Sequence, residues 1–272
     1  MITVVITGAS GFVGRYLTAH LKQMGLNVIP VSRGVYPGIL QVNDYSQSPL
    51  GDVLIHLAEE PDRAKVNMLD DNAFSKTSNL VKLLSERPRQ KIIYASSASV
   101  YGDSNKLPCK VDLPVYSVDK YNEMKLINEK IVLNSGGVVV RLSNLFGIGM
   151  ASNNVLTDIL KQIPGSRPIH IRNDEPVCDF LHVSDAALAF GLLLESSYCG
   201  ILNVGSGIGT SIRALIKILL LAANEAEREI ITTQASYKKS INILDISETV
   251  KILGWHSKLT LNERLEQLLH DR

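Results

Sequence analysis

The feature that constrains this chain most lies at its start, where the apolar run from Thr3 to Thr7 meets the stretch Gly8-Ala-Ser-Gly11-Phe-Val-Gly14. A β-branched run followed at once by three glycines and a helix-length segment is the opening of a β-α-β unit. Gly8 allows a tight turn, Gly11 lets the backbone approach a pyrophosphate, and Gly14 lets helix and strand pack closely. The helix N-terminus then faces the phosphates. At this position the motif predicts a dinucleotide site built from Gly8, Ser10, Gly11, Phe12, Val13 and Gly14.

Short apolar runs recur at Asn27 to Val31, Val53 to Leu57, Lys91 to Ala95 and Gly137 to Arg141. Helical patterns fall at Phe12 to Met24, Asp71 to Glu86, Asp119 to Leu133, Ser184 to Glu195, Ser211 to Asn224 and Leu261 to Leu269. This alternation predicts an α/β fold, a Rossmann-type doubly wound parallel sheet with a small α/β C-terminal substrate lobe. Loops are expected at Gly34 to Pro49, Gly102 to Pro114, Gly147 to Asn154 and Ile163 to Val177, where Gly, Pro, Asn and Asp cluster. No repeat or flexible linker interrupts the chain. The expected division is a dinucleotide-binding domain over 1–165, to which a segment of about 178–200 returns, and a substrate lobe over most of 166–272. The substrate cleft then lies between lobes, at the carboxyl ends of the strands.

Lys plus Arg (28) nearly balance Asp plus Glu (27), which argues against nucleic acid or an anionic membrane as partner. The longest apolar stretch, near Leu215 to Ala223, is too short to span a bilayer and carries Lys217. With no basic leader before the first strand, the expected location is the cytoplasm. Cys109, Cys178 and Cys199 lie far apart and suggest neither a zinc site nor a disulfide framework.

The second strand bears on the cofactor. A free ribose 2′-hydroxyl calls for an acid about 20 residues after the glycines, whereas this chain has Ser32 and Arg33. A guanidinium and a hydroxyl suit a 2′-phosphate, so NADP(H) is favoured and NAD(H) is the alternative.

Tyr121 and Lys125 stand four apart on one helix face. A free tyrosine titrates near pH 10, and a neighbouring ammonium that stabilises the phenolate eases proton transfer at neutral pH. Serines at the end of Tyr94-Ala-Ser-Ser-Ala-Ser-Val-Tyr-Gly102 are placed to hold a reacting oxygen. His56 and His182 sit in apolar runs and are expected to be packed, structural histidines.

Together these motifs resemble the extended short-chain dehydrogenases/reductases, the family of NAD-dependent nucleotide-sugar epimerases, dehydratases and ketoreductases. The resemblance covers nearly the whole chain, through Asp52 to Ala58, Arg141 to Gly147, Asp179 to Asp185, Asn203 to Gly207 and Leu253 to Trp255. It implies Tyr121 as general acid/base, Lys125 as the residue that tunes it and holds the nicotinamide ribose, and Ser97 as the group orienting the substrate oxygen. Ser96 and Ser99 are alternatives for the serine role. By the same resemblance Asp44, Leu57 and Ala58 join the cofactor site, and Ser99, Asn144, Arg172 and Cys178 the substrate site. No metal is implied. Cys178 stands where the family usually has an arginine for the substrate diphosphate, and Arg167, Arg172, Lys238 or Lys239 are possible replacements. Glu59 and Glu60 replace small residues and put negative charge near the cofactor cleft.

The activity these features imply is NADPH-dependent reduction of a keto group, of the 4-keto-6-deoxy kind, on a nucleotide-activated sugar. The same residues also serve a 4-epimerase holding NAD, or a dinucleotide-sensing protein without catalysis. A homodimer through long helices, Asp119 to Leu133 among them, is what the family implies.

Overall fold

The computed structural model describes residues 2–88, 90–103, 105–234 and 240–271. In chain order the strands are β1 (Thr3–Thr7), β2 (Asn27–Ser32), β3 (Leu40–Gln41), β4 (Val53–His56), β5 (Lys91–Ser97), β6 (Val138–Leu142), β7 (Asn144–Phe146), β8 (Ile169–Ile171), β9 (Val177–His182), β10 (Gly200–Val204), β11 (Gly209–Ser211), β12 (Ile230–Thr232) and β13 (Ile241–Asn242). The helices are α1 (Phe12–Gln23), α2 (Arg63–Asn67), α3 (Asp71–Ser85), α4 (Lys120–Asn134), α5 (Val155–Leu160), α6 (Val183–Leu194), α7 (Ile212–Ala222), α8 (Ser247–Leu253) and α9 (Leu261–His270).

The main sheet runs β10-β6-β5-β4-β1-β2-β3, with every neighbouring pair parallel. A parallel sheet needs cover on both faces, and the alternation of its side chains supplies two apolar surfaces. Val4, Ile6, Ile55, Ile93 and Val140 pack with Leu17 and Leu21 of α1 and with Ala186, Ala187 and Phe190 of α6. Val5, Leu54, Ile92 and Val139 pack on the other face with Val81 and Leu84 of α3 and Val132 of α4. This is the doubly wound Rossmann-type fold expected.

A separate core, including Phe146, Ile159, Ile169, Leu215, Leu219 and Leu265, holds the smaller lobe. Its strands are β11-β9-β13 with β7 beside β9, and the pair β12-β8. The return to the main body reaches further than residue 200. β10 joins the main sheet, and Trp255 is buried in the first core with its indole N–H donated to the Asp185 carbonyl at 3.0 Å.

The long helices lie within about two residues of their expected bounds. Two of the expected loops contain structure: 34–49 holds β3 and a 3-10 turn at Tyr45–Gln47, and 163–177 holds β8. Such elements are two or three residues long, too short to show a period. Among the described residues no helix is long and apolar enough to cross a membrane.

Candidate active site

The strand order reverses between β1 and β4, and a crevice opens beyond the carboxyl ends of the strands there. A cleft of roughly 620 Å³ occupies it, within the range of small-molecule sites. The lining brings together Gly8, Ser10, Gly11, Phe12, Val13 and Gly14 after β1, Arg33 after β2, Leu57 and Ala58 after β4, Ser97 at the end of β5, Tyr121 and Lys125 on α4, and Asn144 on β7. A second, more open hollow lies beside Gly165 and Glu225 to Glu229 and includes none of these residues.

The glycine loop fits a dinucleotide. Gly8 has φ +77°, and a Cβ there would meet the Leu57 carbonyl carbon at 2.9 Å; one on Gly14 would lie 2.3 Å from the Gly8 oxygen. Both positions therefore exclude larger residues. A Cβ on Gly11 would meet only the Gly8 oxygen, at 3.2 Å, so the backbone is open to an approaching phosphate. Gly11 is also the N-cap of α1 with no side-chain cap, which leaves the first N–H groups of the helix for an anion.

At the end of β2 Ser10 Oγ and Ser32 Oγ share a hydrogen bond of 2.9 Å, and the Arg33 guanidinium lies over the Tyr45 ring, 5.5 Å from its centroid. Tyr45 lines the cleft as well. Asp44 does not. Its carboxylate accepts from the Ser46 N–H at 2.7 Å and caps the 3-10 turn, and the Ser46 side chain and then its N–H, more than Arg33, hold the carboxyl below the usual range.

Tyr121 and Lys125 are placed by the start of α4. Asp119 caps the helix through the Asn122 N–H at 2.9 Å and is itself held by Arg63 and Asn67, while Asn67 Oδ1 accepts from the Tyr121 N–H at 2.9 Å. One turn later Lys125 Nζ donates to the Ala95 carbonyl at 3.0 Å. The three serines separate by their bonds. Ser96 donates to Glu129 at 2.5 Å and Ser99 to Asn122 at 2.9 Å. Ser97 Oγ instead accepts from the Ser99 N–H at 3.2 Å, which keeps its own O–H to give, and it alone of the three hydroxyl-bearing residues shares the cleft lining with Tyr121 without a side-chain acceptor.

Pattern reading did not find the network beneath this pair. Glu59 Oε2 accepts from Lys125 Nζ at 2.5 Å and from the Tyr94 hydroxyl at 2.7 Å, and Oε1 accepts from Asn128 Nδ2 at 2.7 Å. Burial pushes the Glu59 carboxyl up, but Lys125, His56 and these bonds outweigh it and hold it below its ordinary value. For Lys125 burial pulls down while Glu59 and Tyr121 outweigh it and raise the ammonium. The signals were the acid after His56-Leu-Ala, the Asn one turn beyond Lys125, and Tyr94 beside His56 in the β4–β5 register.

Both histidines are structural. His56 shares a 2.8 Å hydrogen bond with Thr7 and stacks on Tyr94; burial, against the opposing charge of Glu59, pushes it down to about 4. His182 caps α6 by accepting from the Ser184 N–H at 3.3 Å and shares a 2.7 Å bond with the Ser184 hydroxyl, and burial together with Arg264 pushes it down to about 4.

Four further expected residues stand outside the cleft lining with Asp44, among them Ser32, which is buried and whose Oγ accepts from the Gly34 N–H at 3.2 Å. Ser99 is tied to Asn122, and Arg172 donates to Gln234 at 2.6 Å at the surface. Cys178 packs against the core of the smaller lobe, where burial and the charges of Asp103 and Asp179 push its thiol up to about 11. It is a neutral thiol and no replacement for a phosphate-binding arginine. Arg167 does not line the cleft either, and Lys238 and Lys239 lie outside the described residues.

Fold and site together define a Rossmann-type α/β protein with a nicotinamide-dinucleotide cleft carrying a Ser, Tyr and Lys constellation. The chain belongs to the NAD dependent epimerase/dehydratase family, whose model matches residues 4–205, and thus to the extended short-chain dehydrogenases/reductases. It is 26% identical to the dTDP-4-dehydro-6-deoxyglucose reductase of Escherichia coli, over 98% of this chain and 96% of that one. It is 24% identical to UDP-glucose 4-epimerase 2 of Oryza sativa subsp. japonica, over 96% of this chain and 79% of that one. The structure of RMD from Pseudomonas aeruginosa complexed with NADPH superposes with a TM-score of 0.83 at 25% identity, covering 100% of this chain and 98% of that one.

Proposed function

We propose that this chain reduces a keto group, of the 4-keto-6-deoxy kind, on a nucleotide-activated sugar, with NADPH as reductant. The observation that carries this reading is the adenine-side end of the cleft. Arg33, stacked over Tyr45, lines the cleft together with Ser10, whose hydroxyl bonds Ser32, and Asp44 is turned into a cap. A guanidinium with hydroxyls suits a 2′-phosphate, whereas a free 2′-hydroxyl is ordinarily met by a carboxylate. The near full-length similarity to a keto-sugar reductase and to a protein solved with NADPH supports the same assignment.

When bound, the dinucleotide supplies a hydride to the carbonyl carbon. The Ser97 hydroxyl donates to the carbonyl oxygen, and Tyr121 gives that oxygen its phenolic proton as charge develops. Lys125, anchored on the Ala95 carbonyl, orients the pair. Asn144, fixed by its bond to the Asp179 carbonyl at 3.2 Å, contacts the substrate's diphosphate. Phe146, Met150 and Phe180 wall the cleft from the smaller lobe and exclude water from the sugar.

The test is NADPH oxidation with 4-keto-6-deoxy sugars linked to dTDP or GDP, by wild type and Tyr121→Phe. The expected result is stoichiometric loss of NADPH in wild type and a kcat lower by about 10²–10⁴-fold in the variant, with dinucleotide binding kept. Interconversion of sugar epimers without net NADPH loss would instead establish the epimerase reading.

A further inference from the structure

One carboxylate in the cleft has no part in the reaction described so far. Glu59 is 4% exposed at its side chain, and its partner Lys125 is 8% exposed. An ammonium has three N–H donors. One of Lys125's goes to Glu59 at 2.5 Å and one to the Ala95 carbonyl at 3.0 Å, which leaves a single donor for the cleft. The ammonium nitrogen lies 5.8 Å from the centroid of the Tyr121 ring. What faces Tyr121 is therefore one half of a buried ion pair, with Tyr94 and Asn128 holding the other half in place.

We propose that Glu59 is a positioning residue that offsets the charge of Lys125 at Tyr121, so that a buried ion pair and not a free ammonium faces the group that gives the proton. This rests on the reading of Tyr121 as the proton-transfer group. An unopposed ammonium within a few ångströms stabilises a phenolate, and a phenolate begins catalysis by taking a proton from a substrate hydroxyl, the first step of oxidation. A paired ammonium gives no such bias. In the reductive direction the Tyr121 O–H bond breaks as a new O–H bond forms on the substrate oxygen whose carbon has taken the hydride. The Lys125 ammonium, which has one N–H not given to Glu59 or Ala95 and lies 5.0 Å from the Tyr94 and 5.8 Å from the Tyr121 ring centroid, then steadies the phenolate until a proton from water restores it.

The charged and titratable groups around the pair leave Glu59 as the counterion. His56 from β4 is neutral well above pH 4, and Tyr94 from β5 donates to Glu59 itself. On α4, Glu129 is committed to Arg141. From the side of α2, Arg63 is paired with Asp119 and Lys65 with Glu60.

The experiment is a pH titration of the protein labelled with carbon-13 at tyrosine Cζ, followed by NMR, with Tyr121→Phe identifying the Tyr121 signal among nine tyrosines. In Glu59→Gln the Tyr121 midpoint is expected to fall by about one pH unit. In Glu59→Gln/Lys125→Met, where both charges are gone, it returns close to wild type. An unmoved midpoint in Glu59→Gln overturns the proposal. So does a double variant whose midpoint lies about a unit above wild type, because Lys125 would then have acted on Tyr121 unopposed. Should the single variant not fold, the double variant against wild type decides. No substrate enters the measurement, so it stands apart from whether the chain reduces a sugar.

Discussion

Lys125 and Glu129 lie one turn apart on α4, each in a buried ion pair, and the two pairs differ in what they leave over. Arg141 gives Nε and Nη2 to the two oxygens of Glu129 at 3.0 and 2.7 Å, and Nη1 to the Tyr101 hydroxyl at 2.8 Å. Ser96 also donates to Glu129, and the Tyr101 hydroxyl donates to Asn203 Oδ1 at 2.8 Å. Every group ends on protein, and the network ties α4 to β5, β6 and β10. Lys125 and Glu59 line the cleft and keep an ammonium donor for a ligand. The same chemical pair thus serves as a fastening in one place and as part of a site in the other, decided by whether its hydrogen bonds close on protein or remain open to the cleft.

Breaking each pair should separate these roles. Arg141→Met strands the Glu129 carboxylate with Ser96 as its remaining side-chain donor, and urea unfolding is expected to show a loss of about 3–5 kcal/mol. Lys125→Met leaves Glu59 with both Tyr94 and Asn128, so its stability cost should be smaller even though turnover is lost. Equal or reversed costs would show that the pairs do not differ in kind.

Acid provides a second, smaller separation, because His56 stacks against the Tyr94 side of the cleft network. The ordinary histidine value is 6.5, and burial lowers His56 to about 4. The unfolded chain therefore takes up a proton below pH 6.5 that the folded chain refuses until about pH 4, and stability falls as pH falls across that window. Between pH 7 and pH 5 the expected loss from His56 is about 2 kcal/mol, with His182 acting in the same direction. Urea midpoints at the two pH values check this, and His56→Gln should flatten the slope; an unchanged slope would assign the acid sensitivity elsewhere.

Much of this was legible in the sequence because it is local. The glycines after β1, the Tyr121/Lys125 spacing and the long helices are each set by residues within a turn or two of one another. The choice of Ser97 was not, since Ser96, Ser97 and Ser99 share a strand end and only their partners Glu129 and Asn122 distinguish them. Glu59 was visible as an acid among small apolar residues, but its partner is 66 positions away. Asp44 and Cys178 were assigned by motif position and Arg172 only as a basic residue of the same lobe, and side-chain packing set each of them facing a different neighbour. The short strands of the smaller lobe have too few residues to carry a period.

A cleft built for a 2′-phosphorylated dinucleotide is tested most directly by calorimetric titration of the cofactor-free protein with NADPH and NADH. Wild type should bind NADPH at least tenfold more tightly, a difference of about 1.4 kcal/mol, and Arg33→Ala should erase that preference while leaving NADH affinity in place. NADH binding as tight as NADPH, or a preference that survives Arg33→Ala, would contradict the role given to Arg33 and with it the reductase assignment.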